Sequence, residues 1–292
     1  MISVIIPTYQ DDDSLLKCAE ELCHQGDVNG INLEIIIISD GGKMRTETEI
    51  ELQHMFAGNI FSKLQICRIE HKGRAAARNE GVRRAKGDLL VFLDADRVPM
   101  KTLLHRFKRL HFDYPEAVII GNPRDCFMPP RLRKSGSKEY GRFSRDSMYF
   151  RCILSLYRME NDWMGISKSS VRWLSMLIGT SCMTKSIYEK VGGLDESFKD
   201  WGLEHFDLGR RICELGTPFI VATTIESYHL IHKRDGLRVT KGIDYGIHHF
   251  SEKYGDTNAE LLKGFFDGKI SIQAIQRVYG EETESPEVFF RI

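Results

Sequence analysis

Two aspartates follow directly on a short apolar run. Leu89-Leu90-Val91-Phe92-Leu93 leads into Asp94-Ala95-Asp96, and in an extended segment residues two apart point the same way. Two like charges held together are costly unless a cation lies between them. A divalent ion carrying a phosphorylated ligand meets that need, and oxygen ligands suit Mg²⁺ or Mn²⁺. A solvated turn with two surface aspartates is the competing reading of so small a motif. Other polar groups stand just after apolar runs: Pro7-Thr8-Tyr9, Asp40-Gly41-Gly42 and His71-Lys72-Gly73-Arg74.

The elements that must position these groups alternate along the first 120 residues. Apolar runs at Ile2–Ile6 (stopped by Pro7), Leu33–Ser39, Leu64–Ile69, Leu89–Leu93 and Ala117–Ile120 predict strands. Between them, Leu15, Leu16, Ala19, Leu22 and Cys23 recur at helical spacing, with Asp13 or Ser14 as the expected cap. Further helices are expected at Arg45–Met55, Arg74–Ala85 and Thr102–Phe112. Strand and helix in alternation imply an α/β fold, a mostly parallel sheet flanked by helices. Its near-continuous apolar strands suit burial on both faces. Ligands bind such sheets at the carboxyl ends of the strands, where the polar groups above would stand.

Residues 122–172 break the alternation. Between Gly121 and Arg172 there are 11 Lys/Arg against 5 Asp/Glu, punctuated by Pro129-Pro130 and Ser135-Gly136-Ser137, with some helix expected around Tyr149–Met159. This basic segment reads as a solvated lid, or as an insertion that receives an anionic or phosphorylated acceptor; peripheral membrane contact through it is a further reading. After Gly236, helical patterns at Tyr245–Tyr254, Ala259–Phe266 and Ile270–Val278 precede an acidic tail.

Composition excludes several classes. Lys+Arg and Asp+Glu are 41 each, so a general nucleic-acid binder is not expected. Hydrophobic content of 42% is enough for a folded core. Seven cysteines without a C-x-x-C pair argue against a disulfide framework or zinc knuckle and for a reducing compartment. No secretory leader or transmembrane segment is recognisable, and a cytoplasmic location is expected.

Taken in order, several segments resemble GT-A glycosyltransferases, close to glycosyltransferase family 2. Val4-Ile5-Ile6-Pro7-Thr8-Tyr9 resembles that family's first strand and donor-binding turn, and Asp40-Gly41-Gly42 the acidic step after its second strand. Gly73-Arg74-Ala75-Ala76-Ala77-Arg78-Asn79-Glu80-Gly81 is similar to its G-x-x-x-A-R-N-x-G helix, and Asp94-Ala95-Asp96 to its D-x-D. Gly179-Thr180-Ser181 through Val191-Gly192-Gly193-Leu194-Asp195-Glu196 resembles the acceptor-side block. Trp201-Gly202-Leu203-Glu204-His205-Phe206-Asp207-Leu208 resembles the W-G-x-E-D-x-D-L block, shared with the animal β-1,4-galactosyltransferases. His229-Leu230-Ile231-His232-Lys233-Arg234-Asp235 resembles the latter's downstream metal-ligand segment.

The resemblance implies a nucleotide-sugar donor, a UDP-sugar foremost, and an acceptor that is a glycan, peptide, lipid-linked or small molecule. It implies that Asp40 contacts the base, that Pro7, Thr8 and Tyr9 line the same pocket, and that Asp94 and Asp96 hold Mn²⁺ or Mg²⁺ against the diphosphate. Lys72, Arg74 or Arg78 would assist at the phosphates. His232 is the candidate third metal ligand, and His229 shares that site or faces the acceptor. Thr180, Trp201, Gly202 and Asp207 fall on the acceptor or sugar side, Asp207 with a structural role as the alternative.

One position departs from the family pattern. The acidic residue that serves as base in inverting members is here His205, preceded by Glu204. Histidine takes a proton near neutral pH, its ordinary pKa being ~6.5. His205 is then the base, or Glu204 is the base and His205 orients the acceptor, or transfer is weakened. A donor-binding subunit without turnover is therefore the alternative to an enzyme. Nucleotidyl transfer ranks lower, since residues 7–11 lack a Gly-rich activating loop. The expected organisation is a GT-A domain over 1–235 (donor half 1–121, basic insertion 122–172, acceptor half 173–235) and a helical extension over 236–292.

Overall fold

The structure, a computed structural model, describes residues 1–29, 32–42, 44–59, 62–129, 137–147, 166–167, 171–199, 202–232, 236–266 and 269–279. The expected helix at 149–159 and the acidic tail lie outside these residues. Strands β1 (Ile2–Thr8), β2 (Leu33–Asp40), β3 (Ser62–Ile69) and β4 (Leu89–Leu93) lie parallel in the order β3-β2-β1-β4. The sheet continues through β9 (Thr180–Thr184), β6 (Val118–Cys126) and β10 (Phe219–Leu230) to β5 (Arg97–Pro99). Strands β7 (Ser144–Asp146) and β8 (Ile166–Ser167) pair with β6 and β10. Only β9 runs against its neighbours inside the sheet, so β6 and β10 again run parallel to β4. The carboxyl ends of β1, β2, β4, β6 and β10 therefore share one edge.

Helices α1 (Asp12–Asn29), α2 (Thr46–Phe56) and α4 (Leu103–Asp113) cover one face; α3 (Arg74–Arg84), α6 (Lys185–Lys190) and α7 (Glu204–Glu214) cover the other. Alternation within β1 serves both: Val4 and Ile6 join the first core, Ile5 the second. Each such buried side chain contributes about 1.5–3 kcal/mol relative to exposure. A short helix α5 (Ser137–Arg142) flanks β10. Helices α8 (Gly236–Tyr254), α9 (Glu260–Phe266) and α10 (Ile272–Tyr279) build a third core with Trp173, Leu203 and Phe206. No helix among the described residues is long and apolar enough to cross a membrane.

Several local expectations are corrected. Pro7 does not end β1; pairing with β4 stops at Ile5, so Pro7 lies where β1 has β2 as its partner, and the missing N–H is tolerated. The cap of α1 is Asp11, whose carboxylate accepts the Ser14 N–H at 3.3 Å, not Asp13 or Ser14. Asp94-Ala95-Asp96 is a turn, closed by Arg97 N–H to the Asp94 carbonyl at 3.0 Å, so strand alternation does not govern its side chains. Sequence patterning marks neither β9 nor β10: β9 is largely Thr, Ser and Cys, and β10 is broken by a register shift between Ala222 and Glu226.

Candidate active site

The carboxyl edge gathers residues from distant parts of the chain. Asp96 follows β4, while His229 sits near the end of β10, in register with Asp125 on β6 and Arg97 on β5. His232 lies two residues beyond β10. The Leu230 N–H donates to the Asp96 carbonyl at 2.9 Å and fixes the turn against the strand. Ligand atoms of Asp96, His229 and His232 all lie within 4.8 Å of one another. Asp96 Oδ2 is 3.5 Å from His229 Nε2 and 3.7 Å from His232 Nδ1. Burial alone would push the Asp96 carboxyl up, but the His229 ring holds it below its ordinary value.

Asp125, which sequence reasoning missed, stands behind this group. Its carboxylate meets His229 Nδ1 at 3.1 Å, leaving Nε2 to face Asp96. A carboxylate on the far nitrogen is how proteins fix the tautomer of a metal-binding histidine. One carboxylate and two imidazoles are a donor set that Mn²⁺ accepts. No local motif marks Asp125; its strand register with His229 is the only signal, and it needs the topology.

Asp94 has a different position from the one expected. It stands outside the three-residue group, held by Arg78 Nη2 at 2.6 Å and Arg97 Nε at 3.2 Å. A Cβ on Gly179 would come within 2.1 Å of Asp94 Oδ2, so the loop beside the carboxylate needs glycine. Burial favours the neutral acid, yet Arg78, Arg97 and Arg74 hold Asp94 far below the usual aspartate range. Arg78 is buried with its side chain 3% exposed, and its Nε and Nη1 have no hydrogen-bond partner among the described residues; nor has Arg97 Nη1. Buried guanidinium nitrogens without partners are costly. They are suited to a bidentate anionic ligand.

At the ends of β1 and β2, Asp40 is buried and accepts the Lys72 and Gly73 N–H groups at 2.7 and 3.0 Å, with His71 Nδ1 at 3.0 Å. It thus shapes the loop that starts α3. Gly73 takes φ 95°, and a Cβ there would lie 2.6 Å from the Lys199 carbonyl. Tyr9 is exposed and stacks on His71 with ring centroids 4.6 Å apart. Thr8 Oγ1 is buried without a partner among the described residues, next to Pro7 on the same turn.

Glu204 and His205 open α7, both buried. Glu204 Oε2 accepts the Gly202 N–H at 3.1 Å and lies 3.8 Å from His205 Nδ1. Burial would raise the Glu204 carboxyl, but His205, Arg78 and Arg74 bring it below its ordinary value, so it is ionised at neutral pH. Arg78 and Arg74 act on both Asp94 and Glu204.

Two residues expected on the acceptor side are structural. Thr180 is fully buried in β9 and shares a 2.6 Å hydrogen bond with Ser227 on the interior of the sheet. Asp207 is fully buried, receiving Arg211 Nε at 3.0 Å, Tyr254 OH at 2.8 Å and Lys253 Nζ at 2.6 Å. Neither has a surface for an acceptor. Asn79 is likewise a tie: its amide joins Leu194, Glu196 and Tyr188 to α3. Trp201 lies outside the described residues.

Comparison with known proteins bears on the family and the fold. The model for "Glycosyl transferase family 2" matches residues 3–174, and that for "N-terminal domain of galactosyltransferase" matches residues 167–234. An uncharacterized glycosyltransferase of Bacillus subtilis is 20% identical over 96% of this chain and 77% of its own length. The chain spans about half or less of several other curated relatives. Among solved structures, a Pyrobaculum calidifontis mannosyltransferase in complex with GDP-Man and Mn²⁺ superposes with a TM-score of 0.60 at 16% identity, over 87% of this chain and 64% of that one. S. aureus TarS 1–349 in complex with UDP gives 0.57 at 12% identity, over 95% and 77%. At such identities the likeness bears on the fold.

Proposed function

Because the chain belongs to glycosyl transferase family 2, it is a glycosyltransferase with a GT-A-like fold, and we propose that it transfers a sugar from a nucleotide-sugar to an acceptor in a divalent-metal-dependent, inverting reaction. The observation that carries this is the joining of two complementary sites on one sheet edge. Asp96, His229 and His232 would hold the cation, and beside them stand buried arginine nitrogens without partners. A Mn²⁺ or Mg²⁺ ion bound there would supply Lewis-acid neutralisation of the leaving diphosphate.

The chain's own groups divide the remaining work. Tyr9, stacked on His71 beside Asp40, offers a face for the nucleobase. Arg78 and Arg97 present their unpaired nitrogens to the donor phosphates, with Arg74 at the start of α3, and Asp94 holds Arg78 and Arg97 in place. Glu204, ionised, keeps His205 at the start of α7. His205 takes the acceptor proton and Glu204 stabilises the resulting imidazolium. The acceptor oxygen then attacks the anomeric carbon opposite the departing phosphate, which inverts its configuration. UDP is the favoured nucleotide; GDP is the alternative, since one structural neighbour of each kind carries it.

A thermal-shift panel of nucleotides and nucleotide-sugars with Mn²⁺ tests the donor class. A ligand at 100 times its Kd stabilises the folded state by about 2.7 kcal/mol, or about 4 °C for a chain of this size. UDP and a UDP-sugar should raise Tm most; no shift with any nucleotide would remove the reading. A second expected result concerns Asp125. Asp125→Asn should weaken Mn²⁺ binding about 10–100-fold in an electron paramagnetic resonance titration, as loss of an outer carboxylate typically does. Unchanged affinity would detach Asp125 from the site.

A further inference from the structure

Helix α8 follows the last segment matched by either family model, which ends at residue 234. We propose that α8 is a positioning element for the candidate base, seating the 202–204 turn on two glycines and clamping α7 through Lys253 and Tyr254. This rests on the assignment of Glu204 and His205 as the proton-handling pair.

Three observations carry it. The first is contact between backbones. A Cβ on Gly202 would lie 3.3 Å from the Gly242 carbonyl, and a Cβ on Gly246 would lie 3.4 Å from Leu203 N and Cδ1. A side chain on Gly202 would crowd the Gly242 carbonyl; on Gly246 a methyl meets Leu203 at ordinary contact distance, and a larger, branched side chain would push on the turn that carries Glu204. The Gly202 N–H is itself the donor to Glu204 Oε2, so a shift of this backbone moves the carboxylate directly.

The second is the clamp. Lys253 Nζ bridges Asp207 Oδ1 at 2.6 Å and Asp195 Oδ2 at 2.7 Å, and Tyr254 OH meets the same Asp207 oxygen at 2.8 Å. Asp207 lies one turn into α7, its N–H on the Leu203 carbonyl at 2.9 Å. The third is direction. Positions 242, 245, 246, 249 and 253 share one face of a helix. Along that face Tyr245 OH reaches the Ser197 carbonyl at 3.3 Å and His249 Nε2 stands 3.6 Å from Asp195. The whole face thus addresses residues 195–197 and 202–207. Ile243, Ile247 and Phe250 seal the contact in a core with Leu203 and Phe206.

The test uses the full chain with graded substitutions: Gly246→Ala, Gly246→Val, and the pair Lys253→Met with Tyr254→Phe. Hydrogen exchange read by mass spectrometry should quicken at least tenfold over residues 202–208 in Gly246→Val and in the pair, with residues 89–99 and 219–230 unchanged. In parallel, Mn²⁺-dependent hydrolysis of UDP-glucose and GDP-mannose is measured. The kcat of whichever is turned over should fall at least tenfold in Gly246→Val, with donor KM within twofold and Gly246→Ala close to the unaltered chain. Faster exchange throughout the chain with kcat unchanged would mean a structural role alone and would overturn the proposal. Unchanged exchange over 202–208 together with unchanged kcat would also overturn it. Absence of hydrolysis by the unaltered chain would count against the proposed function instead, and the exchange data would then decide the role of α8.

Discussion

Replacing Asp96 by alanine is expected to abolish Mn²⁺ binding and to lower nucleotide-sugar turnover about a thousandfold. Asp96 is the one carboxylate in the group with His229 and His232, and its Oδ2 faces both rings. Two imidazoles without a carboxylate are a poor site for a hard divalent ion. Lewis-acid stabilisation of developing charge is worth several kcal/mol, and about 4 kcal/mol corresponds to three powers of ten in rate. The control is Asp94→Asn. Asp94 holds arginines and stands outside the group, so this variant should retain Mn²⁺ binding in calorimetry while losing nucleotide affinity. Equal loss of Mn²⁺ binding in both variants would restore Asp94 as a metal ligand and contradict the division of labour between the two aspartates.

Arg78→Met should cost stability and donor binding together. Methionine keeps much of the buried volume but leaves Asp94 with Arg97 as its one remaining hydrogen-bonded arginine. Removing one partner of a buried ion pair costs about 3–5 kcal/mol, or about 5–8 °C in Tm for this length. The arginine's two unpaired nitrogens would be lost as well. At about 1.5–3 kcal/mol for a charge-assisted hydrogen bond, nucleotide affinity should fall about 10–100-fold by calorimetry. The acid limb of the stability curve gives an independent check. Asp94 is held far below its ordinary pKa by Arg78, Arg97 and Arg74, against the effect of burial. Its contribution is therefore present above the unfolded value of ~3.9 and is lost as pH falls below it. In Arg78→Met that loss should shrink, flattening Tm against pH below ~4. Wild-type nucleotide affinity with lowered Tm would reduce Arg78 to a purely structural residue.

The donor half was largely legible because its strands are continuous apolar runs with polar residues at their carboxyl ends. The run Leu89–Leu93 is β4 to the residue. What stayed hidden depends on contacts between distant segments. The two aspartates of one short motif look equivalent in sequence, yet Asp94 is claimed by Arg78 on α3 and Arg97 on β5, while Asp96 turns toward β10. Asp125 carries no local signature, since its meaning comes from the parallel pairing of β6 with β10. Thr180 and Asp207 sit inside motifs that look functional, but the sheet interior and the α7–α8 contact consume them. The C-terminal patterns gave helices without a purpose; Gly242 and Gly246 gain one only beside Gly202 and Leu203.

The most direct measurement is hydrolysis of a nucleotide-sugar by the full chain with and without divalent metal. UDP-sugars and GDP-mannose are supplied to metal-stripped protein, then Mn²⁺ is added, then a chelator. A metal-dependent glycosyltransferase should release nucleoside diphosphate slowly with Mn²⁺, stop on chelation and recover when Mn²⁺ is restored. Release that continues undiminished in chelator would contradict the metal role of Asp96, His229 and His232.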